Sequence, residues 1–139
     1  MNKLARGWLA VPLAFAFVGC ATTSSGLSSS AERLERSAAA FQRNAYADRE
    51  GRGYERDAQD LAAEARDFRE TLQDRHADDR DVREAFSDLS RSYHATRDEV
   101  ERHADRQADR DFAAVTEAYL DVERAMNESD RRDRYARHD

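Results

Sequence analysis

The side chains able to do chemistry are few: one cysteine, Cys20, and four histidines, His76, His94, His103 and His138, in a chain of 139 residues. A di-iron site in a helical bundle is built from Glu-x-x-His pairs, but the residues three before these histidines are Gln73, Arg91, Val100 and Tyr135. No Cys-x-x-Cys-His is present to attach haem, and no Gly-x-Ser-x-Gly elbow surrounds a serine. The expectation is therefore no catalytic residue, no metal ligand and no cofactor. A lone cysteine cannot form an internal disulfide, so its use must lie in reactivity or modification.

The N-terminal segment before Cys20 has the grammar of an export signal. Met1 to Arg6 carries two cations, Lys3 and Arg6, and Gly7 to Val18 is apolar except for Pro12. A membrane-spanning helix needs about 20 apolar residues, and this run ends sooner, at Thr22-Thr23-Ser24-Ser25. Cleavage is the expected fate.

The run Phe17-Val18-Gly19-Cys20 resembles the lipobox of bacterial lipoproteins, with Phe17 standing where Leu is usual. That resemblance implies recognition of Phe17, Val18 and Gly19 by the lipoprotein signal peptidase. It also implies lipidation of Cys20 on sulfur and acylation of its new amino end. A thiolate is a suitable nucleophile for taking up the lipid, and several acyl chains anchor more firmly than one, at roughly 0.8 kcal/mol per buried CH₂. In lipoproteins of this kind Asp after the cysteine favours retention in the inner membrane. Ala21 follows here, which implies an outer-membrane, periplasm-facing address. Two other readings stand beside this one: ordinary signal peptidase acting at Gly19-Cys20-Ala21, and an uncleaved anchor.

Without the leader, 21 arginines face 29 acidic residues, a net charge of −8, and Lys3 is the only lysine in the chain. An acidic body argues against a nucleic-acid or anionic-lipid footprint. Charged residues make up 37% of the chain, with five glycines and one proline. That balance favours long solvated helices over a turn-rich β fold.

The apolar spacing predicts an all-α chain folded as an antiparallel four-helix bundle with heptad-like packing. The expected segments are a signal peptide over 1–19, the lipidated cysteine and a flexible Ser/Thr-rich tether over 20–30, the bundle over 31–128, and a mobile polar tail over 129–139. Ser29-x-x-Glu32 reads as a capping box for a first helix over about 30–47. Leu27, Leu34 and Phe41 share its apolar stripe with Ala31, Ala38 and Ala45. Tyr54, Ala58, Leu61, Ala65, Phe68 and Leu72 recur at alternating steps of four and three along a second helix. Val82, Phe86, Leu89, Tyr93, Thr96, Val100 and His103 mark the third, and Ala108, Phe112, Val115, Tyr119, Val122 and Met126 the fourth.

Folding the chain back at its Gly-rich and Asp-rich breaks brings Phe68, Leu89 and Val122 to one level. Ala65, Tyr93 and Tyr119 form the next, then Leu61, Thr96 and Val115, while Leu34 comes near Phe68 and Phe41 near Leu61. His76 and His103 then end successive antiparallel helices, roughly 30 Å apart at 1.5 Å per residue. Their expected role is that of helix C-terminal cations. Tyr93 and Tyr119 are expected in the core with their hydroxyls reaching an edge.

The expected function is that of a non-enzymatic, outer-membrane-anchored lipoprotein with a structural or protein-contact role in the envelope. Its partners would be the membrane, through the lipid, and an envelope protein. The alternative is a periplasmic chaperone or stress adaptor that opens to receive apolar segments. The Ala-rich first helix would be the one to dock loosely in that case.

Overall fold

The computed structural model describes residues 22–47, 53–103 and 106–136, with side chains described over 26–47, 53–103 and 106–131. Four helices follow in order: α1 (Thr22–Ala47), α2 (Glu55–Gln73), α3 (Asp79–His103) and α4 (Arg106–Ala136). Contacts across the seams run in opposite directions along the two helices, the mark of an antiparallel bundle. Glu35 and Tyr46 of α1 meet Arg69 and Gln59 of α2, and Arg33 and Phe41 meet Asp121 and Phe112 of α4. Thr96 of α3 meets the Asp57 carbonyl of α2, and Ser90 meets Tyr119 of α4. The expected four-helix bundle is the observed fold.

The apolar stripes account for the core almost residue by residue. Leu34, Phe41, Tyr54, Leu61, Phe68, Leu89, Val115, Tyr119 and Val122 are fully buried, and Leu27, Leu72, Val82 and Phe86 pack partly buried against them. Ala62 and Ala118 are buried as well, beside rather than within the expected stripes. Tyr93 and Tyr119 share a level as expected. Phe68 contacts the Phe86 ring at 5.9 Å, which sets α2 against α3 within one turn of the expected levels.

The seams are unequal. α1 lies close to both α2 and α4, and α3 lies close to α2, but the backbones of α3 and α4 approach each other least. The residue sizes explain this. α1, α2 and α4 bury eight alanines between them (Ala31, Ala38, Ala45, Ala58, Ala62, Ala65, Ala108 and Ala118), whereas α3 buries none. Small side chains let helices close, and the Tyr93 and Tyr119 rings, parallel at 3.9 Å, stand between α3 and α4. Successive ring contacts then run through the core from Phe68 to Phe86, Tyr119, Tyr93, Phe112, Phe41, Tyr54 and finally His103, no step exceeding 6.3 Å.

Three expectations require correction. The tether over 20–30 is helical from Thr22, because Leu27 belongs to the core stripe and carries α1 past the expected start. Ser29 caps nothing: its hydroxyl donates to the Gly26 carbonyl at 3.0 Å within the helix. The tail over 129–139 is helical through Ala136, with no proline or glycine to stop it and with Asp130 held by Arg83 of α3 at 3.1 Å.

The capping box lies elsewhere, at Asp78-x-x-Asp81. Asp78 Oδ1 accepts from the N–H groups of Arg80 and Asp81 at 2.8 and 3.0 Å, and the Asp78 N–H donates to Asp81 Oδ2 at 2.9 Å. Three N–H groups at the helix start are thus served by two carboxylates. Asp74 ends α2, its extended backbone turning the chain away while its N–H reaches back to Glu70 and Thr71. Its carboxylate accepts from the His76 N–H at 2.9 Å.

Gly53, before α2, has φ +86°, and a Cβ there would lie 2.5 Å from His103 Nε2. Both constraints exclude a side chain. Gly53→Ala is expected to destabilise the fold by about 1–3 kcal/mol in urea melts, from the left-handed backbone together with the contact. In a His103→Ala background only the backbone part should remain, so the loss should shrink without vanishing.

Candidate functional site

Phe17, Val18, Gly19 and Cys20, the candidate processing residues, lie outside the described residues, as does His138. The other three histidines are distributed by the bundle rather than gathered. His76 lies in the α2–α3 turn and His103 at the end of α3, so a 25-residue helix, about 37 Å long, separates their ends of the bundle. His94 is exposed and meets Tyr93 edge-on at 5.2 Å. No group of three His, Cys, Asp or Glu side chains is placed to hold a metal among the described residues.

His103 shows why a helix terminus suits it. Its Nδ1 lies 2.8 Å from the Glu99 carbonyl and can satisfy one of the carbonyls that the end of α3 leaves open. The Glu99 carboxylate is 3.6 Å away, and the ring packs against Tyr54. The ring therefore ties the end of α3 to the start of α2.

The most concentrated polar chemistry near the core lies along the wide α3–α4 seam. Tyr119 Oη and Ser90 Oγ are 2.8 Å apart, and the Tyr93 hydroxyl donates to Thr116 Oγ1 at 3.3 Å. Each tyrosine keeps its ring in the core and its hydroxyl on a neighbour, as expected, but Ser90 and Thr116 carry no sequence signal beyond their position one turn away. Burial raises the Tyr119 pKa above its ordinary value of 10.0, with Glu123 and Tyr93 adding to the rise and the Ser90 hydrogen bond opposing it. The pair links α3 to α4 across the wide seam.

Thr96, the one fully buried polar side chain among the described residues, pins the α2–α3 seam. Its hydroxyl lies within hydrogen-bond reach of two carbonyls, Ser92 on its own helix at 2.8 Å and Asp57 across the seam at 3.0 Å. Nearby, burial raises the pKa of the Asp57 carboxyl, and the charges of Glu99 and Asp60 add to the rise. Glu64 is shifted upward too, first by burial and then by Asp88. Both carboxylates carry a small penalty at neutral pH that acidification through their folded-state pKa relieves.

An open groove follows the α1–α4 seam where Ala40 and Ala114 leave room beside Phe41. Arg33, Arg36, Arg110 and Asp111 flank it with Ser37 and Asn44. Its charges are of both signs. Arg33 pairs with Asp121, Arg110 donates to Gln107 at 2.7 Å, and the Ser37 hydroxyl donates to the Arg33 carbonyl at 3.0 Å. No nucleophile and base meet there.

Tyr119→Phe is expected to cost about 1 kcal/mol in urea melts near neutral pH, through the lost Ser90 hydrogen bond. The raised pKa fixes the sign at high pH. In the wild type the unfolded phenol ionises first, so stability is unaffected by this group below pH 10 and falls as pH rises past it. The alkaline loss of stability should therefore be shallower in Tyr119→Phe. Equal slopes in the two proteins would contradict the burial of this phenol.

No family model, curated protein or solved structure matches the chain.

Proposed function

We propose that the chain is a lipid-anchored envelope protein: a lipoprotein acylated on Cys20, held at the periplasmic face of the outer membrane. There its helical bundle contributes protein contacts or envelope structure without catalysis. The observation that carries this reading is the lipobox-like Phe17-Val18-Gly19-Cys20 at the end of a short apolar leader, in a chain with no other cysteine. The fold is compatible with it. No helix among the described residues is long and apolar enough to cross a membrane, so membrane residence in this reading rests on the acylated cysteine. A closed core and a mixed-charge surface suit a scaffold, and the described side chains offer no reactive constellation against it.

Processing is directly measurable. Mass spectrometry of the mature N-terminus should find a chain beginning at Cys20 with a diacylglyceryl group on sulfur and an acyl group on nitrogen. Cys20→Ser should move the protein out of the membrane fraction. An unmodified Cys20, or unchanged membrane retention of the variant, would refute the anchor.

The α3–α4 seam supports a second reading, a module that parts its helices to receive an apolar segment. The first helix is not the loose one, since Leu34 and Phe41 of α1 are buried at the centre and α1 lies close to two neighbours. Opening would separate α3 from α4, whose backbones approach least and whose shared rings would form the exposed lining. In this reading amide hydrogen exchange is faster along α3 than along α1 and α2, and it slows when an apolar peptide is added. Uniform protection in all four helices excludes it.

A further inference from the structure

The two long sides of α2 carry opposite charge. On one side Arg66 and Arg69 turn to Glu35 of α1, at 3.8 and 2.6 Å. The other side carries Asp57, Asp60, Glu64 and Asp67, whose steps of three, four and three residues align them in one row along the helix. None of these four carboxylates is ion-paired among the described residues.

That row borders α3. Thr96 at the Asp57 carbonyl and Phe86 at Phe68 fix the register of the seam. Asp88 and Glu99 stand on the α3 side of it, in a row with the uncharged Ala85, Ser92 and Ala95. The cations of this region are engaged on their own helix: Arg91 lies 2.9 Å from Asp88, and Arg102 and His103 lie beside Glu99. α3 therefore adds two acids to the seam and no cation that pairs with the α2 row.

The consequence falls on the two half-buried members. Burial raises the pKa of the Glu64 carboxyl above its ordinary 4.5, Asp88, Asp67 and Asp60 add to the rise, and Arg91 opposes it. The Asp57 carboxyl is raised from 3.8 by burial, Glu99 and Asp60, against its own backbone hydrogen bond and Arg56. An acid whose pKa is higher in the folded chain destabilises that chain when ionised. This burden is full at neutral pH, lifts as pH falls through the folded-state value, and is gone below the ordinary one.

α3 is the helix least able to bear it. Its backbone lies close to α2 alone, because the Tyr93 and Tyr119 rings space it from α4. Over 25 residues it buries Leu89, Tyr93, Thr96 and Val100, and no alanine. The close α1–α2 and α1–α4 seams do not involve it. Its one close seam is thus the seam with the unpaired carboxylates.

We propose that α3 is the helix this bundle releases, and that the carboxylate row between α2 and α3 makes release pH-dependent, easiest near neutrality and suppressed in mild acid. The proposal rests on the second reading, in which α3 parts from α4, and adds the control of that opening. Release uncovers Phe68 and Tyr119, which Phe86 and Tyr93 cover in the closed bundle.

Amide hydrogen exchange of the full-length protein, corrected for the intrinsic chemical rate at each pH, reads the release helix by helix. Protection along α3 should rise severalfold from about pH 7 to about pH 5 relative to α1 and α4. The triple variant Asp60→Asn, Glu64→Gln, Asp67→Asn keeps side-chain size and removes three charges of the row. It should be severalfold better protected than the wild type along α3 at neutral pH, and the two proteins should converge in acid. Asp109→Asn with Glu117→Gln, exposed acids of α4, should leave the wild-type response unchanged. Equal protection in all four helices at neutral pH sinks the opening itself. Fast exchange along α3 with the same pH response in wild type and triple variant, or a triple variant less protected than the wild type, sinks only the carboxylate control.

Discussion

Two tyrosine rings lying parallel between α3 and α4 hold those backbones apart by the thickness of side chains, while alanines let α1 settle between α2 and α4. The rest of the bundle follows from this inequality. Because the rings reach inward from the wide side, Phe41 and Phe112 can meet them from α1 and α4, and Phe86 and Phe68 extend the contacts toward the α2–α3 turn. Each ring contact contributes about 0.5–1.5 kcal/mol beyond its buried area. One continuous core results, instead of four helices each held only by its neighbours.

Polar groups fix register where apolar contacts alone would slide. The hydroxyls of Tyr93, Tyr119 and Thr96 each reach a partner at or across a seam. Inter-helix ion pairs such as Glu35 with Arg69 and Arg83 with Asp130 are partly solvated and contribute little energy, yet they mark the same antiparallel alignment. None of these groups is arranged for proton transfer. The described residues form a bundle with a defined long axis.

The buried stripes were legible because the period of the helix is written directly in residue type. Tyr54 through Leu72 and Ala108 through Met126 alternate by four and three, and burial follows that pattern. The breaks were legible from Gly53 and from the Asp-rich segment at 78–81, although the capping role of Asp78 and Asp81 went to a pair with the same spacing as the expected Ser29 and Glu32. The ends of the bundle were not legible. Thr, Ser and Gly over 22–30 have no helical preference of their own, and the polar residues after Met126 have no apolar stripe. Packing of Leu27 on the core and the hold of Arg83 on Asp130 link those ends to the bundle.

The amino-acid sequence by itself determined the fold class, the positions that enter the core and the one cysteine fit for modification, because each depends on residue type and local spacing. Tertiary structure decided which seam is wide and where the described first helix begins and the last one ends. Those properties arise between residues on different helices, tens of positions apart in the chain. They depend on how alanines and aromatic rings share space when the helices close.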